Sequence, residues 1–124
     1  MSSLEQSKTE IIRDQNDQFR KELPNIKSIQ GRLMFTQGIQ SLTDTDAEPA
    51  KHLLELFKII REYDEFSNDN DPHGEHDFGA FMFQEQKCFW KIDYYALDLK
   101  HGAEDPSDLK QCMRVLTVML ASEY

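Results

Sequence analysis

Apolar residues recur about every four positions near the start of the chain, which is the period of an amphipathic helix. The stripe consists of Ile11, Phe19 and Leu23 together with the polar Gln15, and Ile12 lies beside it. Ser7 and Glu10 precede the stripe in the pattern of a capping box, and Pro24 follows it. We therefore predict a helix over about 5–22. Its other face carries charges of both signs, Arg20 and Asp17 among them, and is predicted to face solvent.

A second helical stripe occupies the middle of the chain. It consists of Ala50, Leu53, Leu54, Phe57, Ile60 and Tyr63. Thr45 and Glu48 again match a capping box, and Pro49 is tolerated in a first turn. These features predict a helix over about 47–63, preceded by a polar loop in the run SLTDTDAEPAK.

Four segments favour β-strands. GRLMFTQG lies between two glycines and predicts a strand over about 31–37. DFGAFMF and KCFWKIDYY are separated by QEQ, which predicts a hairpin of strands at about 77–83 and 87–95. In the second strand an alternation predicts one buried and one exposed face, with Cys88, Trp90, Ile92 and Tyr94 on the buried face. CMRVLTVML is rich in β-branched residues and predicts a strand at about 113–120, with a helix as the alternative.

The order of these elements predicts a single α+β domain over residues 1–124. We expect an antiparallel sheet of three or four strands with two helices packed on one face. Large apolar side chains occur on both faces of the predicted hairpin. Either the sheet is covered on both sides or an apolar patch is exposed, and such a patch would suit a homodimer or a protein partner.

Composition restricts the class of partner. The chain of 124 residues has a net charge of −9, from 23 acidic and 14 basic residues. Such a surface repels phosphate backbones, so we expect no direct nucleic-acid binding and a partner with a basic surface. No apolar run is long enough to cross a membrane, and MSSLEQSKTEII does not resemble a signal peptide. With Cys88 and Cys112 expected as free thiols, we predict a cytoplasmic protein.

The negative charge is concentrated between Arg61 and Asp77, where seven acidic residues accompany one arginine. Three further acidic residues follow in the run GAEDPSD. We predict that these side chains form an acidic binding face. Its members are Glu62, Asp64, Glu65, Asp69, Asp71, Glu75, Asp77, Glu104, Asp105 and Asp108.

The run NDNDPHGEHDFGAF within this stretch also contains metal-ligating residue types. His73, His76 and Asp77 lie within five positions, and Asp93 would approach them if the hairpin strands pair. The spacing matches no established metal motif. The alternative is an Asx-rich turn in which Asn68, Asn70 and Asp71 cap backbone groups, Gly74 takes a positive φ and His76 packs at the strand edge.

The runs NDNDPHGEHDFGAF, FWKIDYY, GAEDPSD and RVLTVMLASEY resemble the signature of a small acidic bacterial family of unknown function, encoded on plasmids and other mobile elements. The segments IIRDQNDQFRK and GRLMFTQGI are similar to that family's first helix and strand. Family members often carry tyrosine at the position of His73. The resemblance implies, by the family's genetic context, a role in protecting incoming DNA from host defence.

Taken together, these features lead us to expect a non-enzymatic anti-defence inhibitor, of the anti-restriction or anti-CRISPR kind, that masks a basic nucleic-acid-binding surface. We expect no cofactor and assign no catalytic residue. Two alternatives stay open. One is a small metal-dependent enzyme using the His/acid cluster at 73–77, and the other is a dimeric structural accessory domain.

Overall fold

The computed structural model describes residues 7–44 and 48–124. Within these residues the chain forms three α-helices, a four-stranded sheet and a short 3-10 helix. The elements in chain order are α1 (Lys8–Lys21), β1 (Gly31–Phe35), α2 (Gln37–Thr43), α3 (Pro49–Arg61), β2 (Phe78–Phe83), β3 (Gln86–Tyr95), β4 (Met113–Leu120) and the 3-10 helix (Ala121–Glu123). The α+β class and the four predicted strands are thus confirmed, with β1 two residues shorter than predicted.

The sheet is mixed, so the prediction of a purely antiparallel sheet is wrong. The strand order is β1-β4-β3-β2. β3 is antiparallel to both of its neighbours, but β1 runs parallel to β4, with Leu33 opposite Leu116. Most of the chain separates β1 from β4, so no short turn fixes their relative direction.

The sequence pattern does not predict the helix α2, because it favours a strand over about 31–37 and a polar loop in the run SLTDTDAEPAK. Its N-terminus is capped from a distant part of the chain. The Glu123 carboxylate accepts hydrogen bonds from the backbone N–H of Gly38 at 3.0 Å and from the Thr36 hydroxyl at 2.6 Å. Local sequence contains no sign of this partner, since it lies 85 residues away from Gly38.

The capping boxes predicted at the N-termini of the two helices have different outcomes in the structure. At α1 the predicted capping box is confirmed: Ser7 Oγ accepts from the Glu10 N–H, and Glu10 accepts from the Ser7 N–H. At α3 the predicted box falls on Thr45, which lies outside the described residues, as do the first residues of both predicted helices. The N-cap residue of α3, Glu48, makes no side-chain capping bond.

One face of the sheet forms the core with the helices. Phe19 of α1, Ile39 of α2 and Ile60 of α3 are fully buried together with Trp90 and Val118 of the sheet. The alternation predicted for the second hairpin strand is confirmed, because its buried positions are Cys88, Trp90 and Ile92. The hairpin turn has two residues, Gln84 and Glu85, both with positive φ.

The opposite face of the sheet carries no helix among the described residues. Phe78 and Phe89 lie on it, with ring centroids 5.0 Å apart, and Tyr124 packs on both rings. At its two edges Met34 and Met82 are 51% and 61% exposed. Among the described residues, this face therefore exposes the apolar side chains of Met34, Met82 and Tyr124, together with the Lys91–Asp93 ion pair.

Candidate interaction surface

The acidic connector, residues 62–77 between α3 and β2, is an ordered loop. Tyr63 holds it against the sheet: its hydroxyl accepts from the Ala80 N–H at 3.3 Å and donates to the Glu65 carbonyl at 3.3 Å. Asn70 bridges the loop by accepting from the Ser67 N–H and donating to the Glu65 carbonyl. Asn70 and Asp71 thus cap backbone groups, and Gly74 has φ of 71°, as the Asx-turn alternative predicts for these three residues.

Four acidic side chains of this connector are exposed and unpaired. They are Glu62, Asp64, Glu65 and Asp69. None of them forms an ion pair with the residues that the structure describes. Because the Tyr63 and Asn70 bonds fix their backbone, these carboxylates are presented to solvent from an ordered segment.

Asp71 does not join them at the surface. Only 6% of the residue is exposed, and its Oδ1 atom accepts a hydrogen bond from the His76 N–H at 3.1 Å. Its carboxylate therefore stabilises the loop, and the structure does not present it to a partner.

Glu75 and Asp77 are half-buried at the end of the connector. The Tyr94 hydroxyl donates to Glu75 Oε1 at 2.9 Å. Burial raises the pKa of the Asp77 carboxyl, and the neighbouring carboxylates of Glu75 and Asp71 raise it further. These two half-buried carboxyl groups therefore interact with neighbouring residues of the chain and are less accessible to a partner than the four exposed ones.

The other predicted acidic residues belong to a separate patch. Asp105 pairs with Lys8 at 3.2 Å, at the N-terminal end of α1. The connector contacts α1 along much of its length: Arg20 donates to the Tyr63 carbonyl, Asn16 donates to the Glu75 carbonyl, and Gly74 lies near Thr9. Only the start of the connector, at Tyr63, lies at the opposite end of α1 from Asp105, and a helix of this length is about 20 Å long. Glu104 is exposed, and Asp108 accepts from the Lys110 N–H.

His76 is held by a carboxylate and an aromatic ring. Its Nδ1 atom lies 2.8 Å from Asp17 Oδ1, and its ring stacks on Phe66 with centroids 3.8 Å apart and planes within 4°. Its Nε2 atom is 3.8 Å from Asp71 Oδ2. The backbone has φ of 55°, a left-handed conformation that these contacts stabilise in a residue other than glycine.

The other members of the predicted metal cluster form no ligand set with His76 among the described residues. His73 is exposed, and Asp77 and Asp93 line one cleft, where Asp93 pairs with Lys91 at 2.8 Å. Among residues 7–44 and 48–124, no three side chains of His, Cys, Asp or Glu are arranged to hold a metal ion. The arrangement gives the metal hypothesis no support.

Residues 35–123 match the model of a family described as protein of unknown function DUF3768. The chain belongs to this family. The matched segment contains the acidic connector, the hairpin and β4, whereas α1 and nearly all of β1 precede it. No curated protein and no solved structure matches the chain.

Sequence reasoning missed the polar network by which α1 holds the DUF3768 segment. Arg20, predicted to face solvent, is 3% exposed. It donates to the carbonyls of Ile60 and Tyr63 and to Asp17, and its guanidinium lies 4.9 Å from the Trp90 ring centroid. Burial lowers the pKa of this guanidinium, and Asp17 opposes the shift. The sequence indicates the burial of Arg20 only by its position directly after Phe19, which belongs to the predicted apolar stripe.

A second buried arginine links α1 to the sheet. Arg114 of β4 is fully buried and donates to Asn16 at 2.7 Å and to Gln15 at 2.8 Å. Asn16 in turn donates to the Tyr94 hydroxyl and to the Glu75 carbonyl. Phe19 and Leu23 of the predicted stripe, and Ile12 beside it, are buried as predicted, whereas Ile11 and Gln15 are only half-buried. The polar residues Asn16 and Arg20 complete the buried face of α1.

The described residues contain no helix that is long and apolar enough to cross a membrane.

Proposed function

We propose that this chain is a non-enzymatic acidic protein that binds a basic, nucleic-acid-binding surface of another protein and masks it. The observation that carries the proposal is the set of four exposed carboxylates on the ordered connector, unpaired with any described residue. Unpaired carboxylates attract the Lys and Arg side chains that otherwise contact phosphate groups. The net charge of −9 extends this attraction beyond direct contact.

The resemblance to a family carried on mobile elements suggests the class of target. A nuclease of host defence presents a basic channel to DNA, and an acidic domain placed in that channel would exclude the nucleic acid. We therefore propose an anti-defence role, of the anti-restriction or anti-CRISPR kind.

The experiment is capture of proteins from a host lysate on the immobilised chain, with elution by a salt gradient and by duplex DNA. We expect the retained protein to bind DNA, to elute as salt rises, and to be displaced by DNA, because both compete for the same cations. A retained protein that is insensitive to salt and DNA would contradict the proposal.

A matched pair of variants makes the result specific. Glu62→Gln/Glu65→Gln removes two connector charges, and Asp44→Asn/Glu85→Gln removes two exposed charges elsewhere. We expect the first variant to bind the target about tenfold more weakly and the second to bind nearly as wild type, since surface pairs contribute up to about 1 kcal/mol each. Equal losses would show that only the overall charge matters.

A dimeric accessory domain is the second candidate, and the open sheet face favours it. Phe78, Phe89 and Tyr124 lie there with Met34 and Met82 exposed at its edges. If two copies pair through this face, light scattering will give twice the 14.6 kDa chain mass. Met34→Lys/Met82→Lys should then give monomers, and a monomeric wild type at high concentration would exclude the dimer.

A further inference from the structure

A groove of about 450 Å³ lies between α3, the start of the acidic connector and β2. Its floor is formed by Ile59, Tyr63 and Phe81. All three belong to the core or pack against it, so the floor is both apolar and supported from below. The groove is open to solvent and has space for an extended side chain.

The rim of this groove is acidic. It consists of Glu55, Glu62, Asp64 and Glu65, with Lys58 as its single basic residue. Among the described residues, none of the four carboxylates has an ion-pair partner within 4 Å. A cation that enters the groove would therefore not have to displace an existing pair.

The groove is also preorganised. The Tyr63 hydroxyl bonds both the Ala80 N–H and the Glu65 carbonyl, which fixes the connector against the edge strand β2. The Tyr63 ring packs edge-on against the fully buried Trp90, with centroids 5.5 Å apart. Little conformational entropy is lost when a ligand binds a site that is already ordered.

We infer that this groove binds an arginine side chain of the basic protein partner. An apolar floor beneath an acidic rim matches a side chain with a long aliphatic stem and a cationic end. Arginine fits better than lysine because its planar guanidinium stacks on aromatic rings such as Phe81 while donating to carboxylates. This inference rests on the proposed function and assigns its contact to one place on the acidic surface.

The test is an NMR titration of the ¹⁵N-labelled chain with three synthetic peptides. Each is an acetylated octapeptide that alternates glycine with arginine, lysine or citrulline. We expect chemical-shift changes confined to α3, residues 62–65 and β2, with arginine binding at least threefold more tightly than lysine and with no binding of citrulline. Shift changes spread over all exposed acidic residues, or an absence of shifts with the arginine peptide, would overturn the inference.

Two variants separate the rim from the floor. Glu62→Gln/Glu65→Gln should weaken binding of the arginine peptide about tenfold. Asp44→Asn/Glu85→Gln should leave the affinity for this peptide within about twofold of wild type. Phe81→Leu keeps an apolar side chain but removes the ring, so we expect the preference for arginine over lysine to disappear. An unchanged preference in Phe81→Leu, or equal losses in the two charge variants, would overturn the groove as the arginine site.

The two proposals fail in different ways. If a DNA-binding target is captured in a salt-sensitive manner but the peptides give scattered shifts, the groove is wrong and the masking function stands. If the arginine peptide binds in the groove but capture is insensitive to salt and DNA, the groove is an arginine site and the masking function is wrong.

Discussion

At the scale of the single residue, Asp77 lies in an environment that is unfavourable for a negative charge. It lies partly buried at the entrance to β2, close to two other carboxylates, and its pKa is raised from the ordinary 3.8. The folded state therefore binds the Asp77 proton more tightly than the unfolded state does. Through this group the folded state loses stability as pH rises above 3.8 through the raised folded pKa.

Replacement of this carboxyl should stabilise the protein at neutral pH. We expect Asp77→Asn to have a higher Tm than wild type at pH 7, because the variant removes a charge that burial disfavours. The gain should shrink as pH falls toward the raised pKa of Asp77, where the wild-type carboxyl takes up its proton. Thermal melts at pH 7 and over a series of acidic pH values measure this. Glu104→Gln removes the same charge from an exposed position and is the control, and an equal gain in that variant would contradict the explanation.

At the scale of elements, α1 and α3 cap each other's C-termini. Arg20 of α1 donates to the Ile60 and Tyr63 carbonyls at the end of α3. Arg61 of α3 donates to the Leu23 carbonyl just after α1. A cation at a helix C-terminus satisfies carbonyls that have no intrahelical partner and interacts favourably with the helix dipole.

Loss of the Arg20 cap should destabilise the fold strongly. Arg20→Met leaves the buried Tyr63 carbonyl without its side-chain donor and removes one donor each from the Ile60 carbonyl and the Asp17 carboxylate, so we expect a loss of about 2–4 kcal/mol in the free energy of unfolding. Urea denaturation measures it. Arg13→Met breaks the partly exposed pair with Asp14 and should change stability by less than about 1 kcal/mol. A similar loss in both variants would show that the buried Arg20 cap contributes no more to the free energy of unfolding than an exposed ion pair does.

At the scale of the whole molecule, the described residues form two acidic surfaces and one apolar surface. One is the connector with its unpaired carboxylates and the adjoining groove, and another is the acidic loop around Asp105 at the far end of α1. The third is the open sheet face with its aromatic cluster. The two proposed modes of binding, a basic partner at the connector and a second copy at the sheet face, therefore use separate surfaces and do not exclude each other.

The helices and strands whose apolar pattern repeats several times along the chain could be predicted from the sequence. The period of apolar positions places α1 and α3 within about three residues of their observed ends, and the alternation through Cys88, Trp90 and Ile92 gives the buried face of β3 correctly. The Ser7–Glu10 cap is likewise local, since both partners lie in one turn. These features depend on neighbours along the chain, so one sequence contains them.

The sequence by itself also determined the acidic composition and the position of the densest acidic run. Only the tertiary structure decided which carboxylates face solvent, because the burial of Asp71 depends on the path of the loop around His76. The parallel pairing of β1 with β4, the Glu123 cap on α2 and the burial of Arg20 likewise join residues far apart in sequence. Such contacts have no local signature, since their free energy arises only when the folded chain brings the partners together.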